Sequence, residues 1–508
     1  MSVARNGPSL SLLVVLQVIV SASSLVVEIV AGRMLAPYVG MSLYTWTSVI
    51  AVVLSGFSVG HWWGGKVAER TQATALAYTG WVVLAAAVTT AGAVLALRLI
   101  AAQLNDTIGD PVWEIVLLSF GVFFLPSLFA GVPAPVLARI AIAKNHHRTG
   151  DALGTMFAAG AVGAIAGTLL AGFFFIPWLG TSVTLAVVTI TYALSGLLLI
   201  VLGKGVARIT QAASVAFFAV VLCIVSAWQA SPCNRESQYF CIRVIDVSAR
   251  PEAPVRRLVL DHLSHGTSAR DVPRVMFSEF TAMLDAIARG RMQGNQFSSF
   301  FIGGGTYSVP RAWADRGTGP VTVSEIDPEV THTAIRDFWL DPLNMQILHE
   351  DARRALLKRP EARFNVIIGD AFSDIAIPVH LITREFFELV AARLSDGGVF
   401  LINVIDYPER LYALAAVYKT LREVFPYVEV WTGEGQLEPK QRKVFVLVAG
   451  DQATRFSSVL VPAPELTRFS ALDEVFVNKL LSQRTHVILT DDYAPIDRLL
   501  SGNWFGGS

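Results

Sequence analysis

The sequence predicts an α-helical transmembrane bundle of about seven spans, followed by a small β-element and an α/β domain of Rossmann type. Three observations carry this. Apolar residues crowd the chain before residue 230, strand-like and helix-like stretches alternate after residue 290, and residues 298–327, SSFFIGGGTYSVPRAWADRGTGPVTVSEID, read as strand, glycine turn, helix, strand and acid.

The bundle follows from hydropathy. The 508 residues are 53% hydrophobic and only 16% charged, with a mean hydropathy of +0.52, too apolar for a soluble enzyme of this length. Hydrophobic spans near 10–31, 43–64, 74–102, 113–140, 151–176, 181–202 and 209–229 each come close to the roughly 20 residues that cross a bilayer. Residues 1–31 do not read as a cleaved signal, because the span carries Glu28 and runs into Arg33 without a small-residue cleavage site. Basic residues then orient the spans, since Lys and Arg gather on the cytoplasmic side. Arg5 precedes the first span, Lys66 and Arg70 follow the second, Arg139, Lys144 and Arg148 the fourth, and Lys204 and Arg208 the sixth, whereas the alternate loops QLNDTIGDP and PWLGTS carry none. The expectation is a multi-pass protein of the inner cell membrane, with a cytoplasmic N-terminus and its soluble domain outside the cytoplasm. Cys233 and Cys241 follow the last span at a spacing that allows a small disulfide loop, which needs an oxidising compartment; two separate thiols are the other reading. Cys223, inside a span, reads as a small apolar packer.

Few residues inside the spans carry chemistry. Glu28 and Arg33 are costly in a membrane and so suggest a function, but five residues apart they do not define a pair on one helix face, and an Arg33 that snorkels to the interface is the plainer reading. Pro126, Pro133 and Pro135 interrupt the fourth span, as where helices bend around a cavity. Gly160, Gly163 and Gly167 form a small-residue face suited to close helix packing. So few polar groups do not suit an ion-coupled pump; a lipid-soluble or amphipathic ligand fits better.

After the bundle (1–230), residues 231–508 read as one soluble region. Its first part, 231–290, is the small β-element and a helix, with YFCIRVIDV and VRRLVLDHL alternating in polarity; the remainder, 291–508, is the nucleoside-binding fold. Phe300, Phe301 and Ile302 form a strand, and Gly303, Gly304 and Gly305 let the backbone turn and approach a ligand. Glu325 ends the next strand about 20 residues on, where a carboxylate can accept from both ribose hydroxyls. A dinucleotide fingerprint would place glycine at 308; Ser308 stands there, which favours a nucleoside such as adenosyl-methionine. MQILHED then ends in Asp351 and FNVIIGD in Asp370, GGVFLINV is a further strand, YVEVWT and VFVLVA close the sheet, and TREFFELVAARL is helical. Such alternation means a mostly parallel sheet with its ligand at the carboxyl ends of the strands, where all three acids fall. Asp491 and Asp492 in LTDDYAP invite a metal, but nothing supplies the rest of a coordination shell, and a structural turn or acidic rim is the expectation. No metal, no zinc spacing, no P-loop and no Ser-His-Asp arrangement is read, and a formal net charge of zero gives no sign of a nucleic-acid partner.

The succession GGG, SEIDPEV, HEDAR, VIIGDAFSD and VHLITREFFELV resembles the spermidine synthase family of polyamine aminopropyltransferases. GDAFSDIAIPVHLITREFF, ILTDDYAPIDRLL and the membrane motifs LVVEIVAGRMLAPYVG and VGHWWGGKVAER resemble its membrane-fused members. The resemblance implies a methyltransferase-like fold that takes S-adenosyl-methionine or its decarboxylated form, transfers to an amine acceptor and leaves methylthioadenosine; a homodimer is compatible with it. It further implies that Glu325 holds the ribose, Asp351 with Ala352 the adenine, and Gly303, Gly304 and Gly305 the thioether, while Asp370 acts as general base. Asp374 would be a second acid, but it stands four residues after Asp370 where the soluble enzymes have one three residues on. The amine contacts differ: Thr306 replaces an acid, Phe240 a glutamine, Phe277 and Ser278 a Tyr-His pair, and His265 a glutamine. The expected substrate pocket is therefore Gln238, His265, Thr306 and Tyr307, with an acceptor other than putrescine. Cleavage by a lyase, methyl transfer, and nucleoside or polyamine sensing or transport are the alternatives.

Overall fold

In a computed structural model the chain divides into two units, Met1–Cys241 and Ile242–Ser508. Residues 8–104, 111–204, 208–228, 231–292, 294, 296–372, 376–435, 438 and 441–501 are described.

The first unit is helical: α1 (Leu10–Val39), α2 (Leu43–Ala68), α3 (Gln72–Leu104), α4 (Pro111–Gly131), α5 (Pro133–Lys144), α6 (Thr149–Leu170), α7 (Ile176–Leu202) and α8 (Ile209–Trp228). Among the described residues six continuous helices, not the expected seven, are long and apolar enough to cross a membrane. The expected fourth span is α4 and α5 in succession through Val132, just before Pro133 and Pro135. The expected fifth and sixth spans are one run, Thr149–Leu202, of 54 residues. A straight helix of that length would reach about 80 Å, well over twice the thickness of a bilayer core. This run is not straight, however, because it loosens into a π-helical turn at Ala171–Phe175 and takes a non-helical conformation at Gly180, with φ 73° and ψ 175°.

Glycine sets how closely these helices pack. A Cβ at Gly163 would lie 2.4 Å from the Val18 carbonyl oxygen and one at Gly167 2.2 Å from that of Ala22, so α6 lies backbone to backbone on α1, running parallel to it. In the same way Gly56, Gly60 and Gly64 of α2 face Phe124, Leu128 and Val132, again parallel. Gly80 of α3 meets Gly196 of α7, and Gly203 meets Ala73 and Ala77, an antiparallel pair. Near the start of α1, the Lys144 ammonium donates to the Pro8 carbonyl. Towards its other end, the Arg33 guanidinium donates to the carbonyls of Ser237 and Tyr239. Those residues lie in the loop closed by a Cys233–Cys241 disulfide, which also contains the two-residue strand β1 (Arg235–Glu236). From this loop the Glu236 carboxylate accepts 2.8 Å hydrogen bonds from the amide and the hydroxyl of Thr181, capping the helix where it restarts after Gly180.

In the second unit, β2 (Cys241–Asp246), β3 (Val255–Leu260) and β4 (Leu263–Ala269) form an antiparallel meander, followed by α9 (Glu279–Arg291). The large sheet has the order β12 (Ser458–Val461), β13 (Thr467–Ala471), β10 (Tyr427–Gly433), β11 (Lys443–Gly450), β9 (Leu394–Asp406), β8 (Phe364–Gly369), β5 (Ser299–Ile302), β6 (Val321–Ser324), β7 (Gln346–Leu348). Its β7–β6–β5–β8–β9 half is parallel, as a doubly wound sheet requires. The other four strands join antiparallel, so the sheet is mixed rather than mostly parallel. Strand residues alternate between two cores: Phe300, Ile302, Phe400 and Ile402 enter one, Phe301, Val399 and Leu401 the other. Helices α10 (Ser308–Arg316), α11 (Pro328–Asp337), α12 (Ala352–Leu357), α13 (Arg384–Ala391) and α14 (Tyr412–Arg422) complete the layers. Buried Asp285 ties α9 to α10 by accepting from the Trp313 indole at 2.7 Å and from Arg289 and Arg316.

Replacing Gly167 by Val should lower stability by about 1–3 kcal/mol, since no rotamer change moves the α1 backbone out of the way. Gly154→Val is the control, because its Cβ would meet nothing within 4 Å. Thermal unfolding of the purified chain in detergent compares them, and equal midpoints would refute tight α1–α6 packing.

Candidate active site

The site is built around the turn after β5. Gly303 (φ 93°) and Gly305 (φ 52°) hold backbone that glycine adopts most easily. Space is also exhausted: a Cβ at Gly303 would lie 2.6 Å from the Asp370 carbonyl oxygen, at Gly304 2.5 Å from the Tyr307 ring, and at Gly305 2.9 Å from the His265 carbonyl oxygen. The turn therefore sits wedged between β8 on one side and the β3–β4 hairpin on the other.

Glu325 follows β6 and is buried. Its carboxylate accepts the Gly304 amide at 2.8 Å and the Asp327 amide at 2.9 Å, which lock it beside the turn. The Gly305 amide bears on the same carboxylate, so three backbone amides converge on it. Burial pushes the Glu325 carboxyl up to about 7, against the pull of those amides. Asp351 follows β7 and caps α12 through the Arg354 amide at 2.9 Å, with Ala352 buried behind it. Its other oxygen lies 2.6 Å from His380 Nε2. Burial raises the Asp351 carboxyl, but the His380 bond and the backbone amides outweigh it and hold the group below the ordinary range. Arg353 grips Asp491 in a two-bond fork at 2.7 and 2.6 Å, and Thr383 donates to the same carboxylate, so Asp491 joins the Asp351 loop to α13 as a structural turn.

Asp370 follows β8 and is partly buried. Burial pushes its carboxyl up to about 7, and the Asn403 amide, donating at 3.1 Å, pulls the other way. Asn403 projects from β9, is almost fully buried, and its side-chain oxygen has no partner among the described residues. In the sequence Asn403 is marked only by being a lone amide within the apolar run GGVFLINV, and His380 is unmarked until the fold sets it on Asp351.

The expected substrate-pocket residues are only partly gathered. His265 lies against the turn, its Nδ1 3.0 Å from the Leu263 carbonyl, and burial holds its imidazole below the usual value. Thr306 is buried in a hydroxyl chain, 2.6 Å from Ser308, which is in turn 2.8 Å from Ser268, so it pins the hairpin to the turn. Tyr307 is wholly buried with its hydroxyl 2.7 Å from that of Thr331, supporting the turn from beneath. Gln238 is exposed and falls in the first unit. Asp374 lies outside the described residues.

No family model matches the chain. Among curated proteins it is 34% identical over 133 residues to the N-terminal histidine N-methyltransferase of Emericella nidulans, covering 25% of this chain and 23% of that one. It is 32% identical over 124 residues to the polyamine aminopropyltransferase of Vibrio vulnificus, covering 24% of this chain and 41% of that one. The chain thus spans less than half the length of these relatives. A crystal structure of a probable spermidine synthase from Corynebacterium glutamicum superposes with a TM-score of 0.45 at 21% identity, covering 50% of this chain and 95% of that one.

Two carboxyls near 7 would make binding of a sulfonium nucleoside at this site pH-dependent. Both are protonated below that value in the empty site, whereas a cation beside Asp370 and hydroxyls donating to Glu325 favour the ionised forms. Affinity should therefore rise as pH climbs through about 7 and then level off, with protons released on binding. Calorimetry in buffers of different ionisation enthalpy measures the release; none at pH 6.5 would mean that both groups are already ionised. Glu325→Gln should cost about 1–3 kcal/mol of nucleoside affinity at pH 8.

Proposed function

We propose that this chain, spermidine synthase-like in sequence, is a membrane-embedded transferase that binds an adenosyl-methionine-type sulfonium and moves a carbon group from sulfur to an amine, releasing methylthioadenosine. The observation that carries this is the order of groups along the sheet edge. Asp351, Glu325, the glycine turn and Asp370 follow β7, β6, β5 and β8, four neighbouring parallel strands. Three strand spacings of about 4.8 Å give about 14 Å, in which adenine, ribose, sulfur and reacting carbon fit in that sequence. In the reaction the amine lone pair attacks the carbon bound to sulfur, the C–S bond breaks, and its electron pair neutralises the sulfonium. The proton shed by the amine passes to Asp370, whose carboxyl near 7 suits a base working at neutral pH. Asn403 aims that carboxylate, and Asp374 is the proposed second acid. Similarity to a methyltransferase keeps methyl transfer as a second reading, which would yield adenosyl-homocysteine instead.

The helical unit, on this reading, crosses the inner membrane seven times, the 54-residue run crossing twice with its bend at Gly180. Helix directions support this count. Parallel α1/α6 and α2/α4 pairs with antiparallel α3/α7 are what alternate crossing requires. Contacts of Arg33 and Thr181 with the 233–241 loop bring the end of α1, the bend and the exit of α8 to one face. The exposed Trp113, Trp178 and Trp228 belong to that face, as interfacial tryptophans do. With basic loops at the other face and a disulfide at this one, the second unit lies outside the cytoplasm.

Mass spectrometry after incubation with S-adenosyl-methionine and its decarboxylated form, together with candidate amines, should detect methylthioadenosine; no product from either would reject the enzyme. Asp370→Asn should keep nucleoside binding and lower turnover by about 100-fold or more, and unchanged turnover would remove Asp370 from the chemistry. Alkaline phosphatase fused after Ser508 should be active, whereas a fluorescent reporter that matures only in the cytosol would reverse the topology.

A further inference from the structure

Beyond Asp370 the sheet edge changes character. The next strand, β9, ends at Asp406, whose carboxylate is engaged by the amides of Tyr407 and Leu414. Lys443 pairs with Asp406 in the sheet, so Arg442 stands directly beyond that strand end, with its Nε donating to the Tyr407 hydroxyl at 3.0 Å. From the opposite side comes the β3–β4 hairpin, seated on the glycine turn through the His265 carbonyl at Gly305 and through Gly266, where a Cβ would lie 2.4 Å from the Thr306 hydroxyl. Its tip carries His262 and His265, and the adjoining strand β2 carries Arg243, which donates to the Asp261 carbonyl at 2.8 Å. The Nε of Arg243 is buried with no partner among the described residues. A buried guanidinium N–H is a strong donor suited to an anionic group.

The hairpin is seated on the turn after β5, and β9 is separated from β5 only by β8, so both stand at the same edge of the sheet. Burial lowers the His262 imidazole to about 4, with the positive charges of Arg442, His265 and Arg243 adding to the effect. On the reading above, a nucleoside whose ribose rested on Glu325 would run its tail across the glycine turn and Asp370 toward the β9 end of the sheet edge, where Arg442 stands. A bare ammonium tail would find repulsion there, whereas a carboxylate would find two guanidiniums.

We propose that Arg243 and Arg442 select a nucleoside whose tail retains its carboxylate, so that the sulfonium substrate carries an amino-acid tail rather than a decarboxylated one. This rests on the nucleoside-binding reading above and names its substrate class. Group transfer would then place an amino-carboxypropyl group on the acceptor nitrogen, with methylthioadenosine still the leaving molecule.

Calorimetry on the full-length protein in detergent tests it with three ligands, S-adenosyl-methionine, decarboxylated S-adenosyl-methionine and methylthioadenosine. The carboxylate-bearing nucleoside should bind at least about tenfold tighter than the decarboxylated one, a charge-assisted pair's worth of affinity. Arg243→Gln and Arg442→Gln should each shrink that ratio while methylthioadenosine, which has no such tail, keeps its affinity. Equal or tighter binding of the decarboxylated form by the unaltered protein overturns the proposal, as does a ratio unmoved in both variants. Failure of all three ligands to bind would instead defeat the underlying nucleoside-site reading.

Discussion

The crossing of the glycine turn between two carbonyl groups is the constraint on which the second unit depends. Gly303 touches the Asp370 backbone and Gly305 the His265 backbone, with no room for a methyl group at either contact. Because the base candidate and the hairpin are both defined by backbone contact to the same three residues, their spacing is fixed without reference to any flexible side chain. Glu325 adds to this by using its carboxylate on the Gly304 amide, so the group that would hold the ribose also holds the turn. The amides that hold this carboxylate in the turn keep it in position while burial raises it.

Asp351 is positioned differently. It caps a short helix and leans on His380, and the loop carrying it is tied to α13 through Arg353 and Asp491. Arg353 and Asp491 are partly open to solvent, so their ion pair is worth little as stability. Its value is geometric, because a two-bond fork allows one orientation of the loop that would face the adenine.

Much of this was legible in the sequence, since an acid following an apolar strand stays at a strand end however the helices are arranged. Glu325, Asp351 and Asp370 are found where alternation places them. What escaped depended on contacts between segments distant in sequence: Asn403 reaches Asp370 across 33 residues and His380 reaches Asp351 across 29. Tyr307, next to the glycine turn in sequence, is buried with its hydroxyl on Thr331, a placement that adjacency in sequence does not show. The strands Ser458–Val461 and Thr467–Ala471 are short, and the prolines at 462 and 464 between them mask their pairing. In the helical unit, hydropathy separates two spans around PWLGTS, and Gly180 breaks the run there; what hydropathy has no term for is the π-helical turn at Ala171–Phe175, which carries helix almost up to the break.

The cap at that restart has a consequence for how the chain is made. The amide of Thr181 waits for a carboxylate 55 residues further on, and Arg33 waits 204 residues for the Ser237 carbonyl. A ribosome that has delivered α7 has not yet delivered either partner, so this end of the bundle stays unsealed until α8 and the segment after it have emerged. Truncation or stalling before residue 236 would leave an open helix end and an unmatched guanidinium at this end of the helical unit.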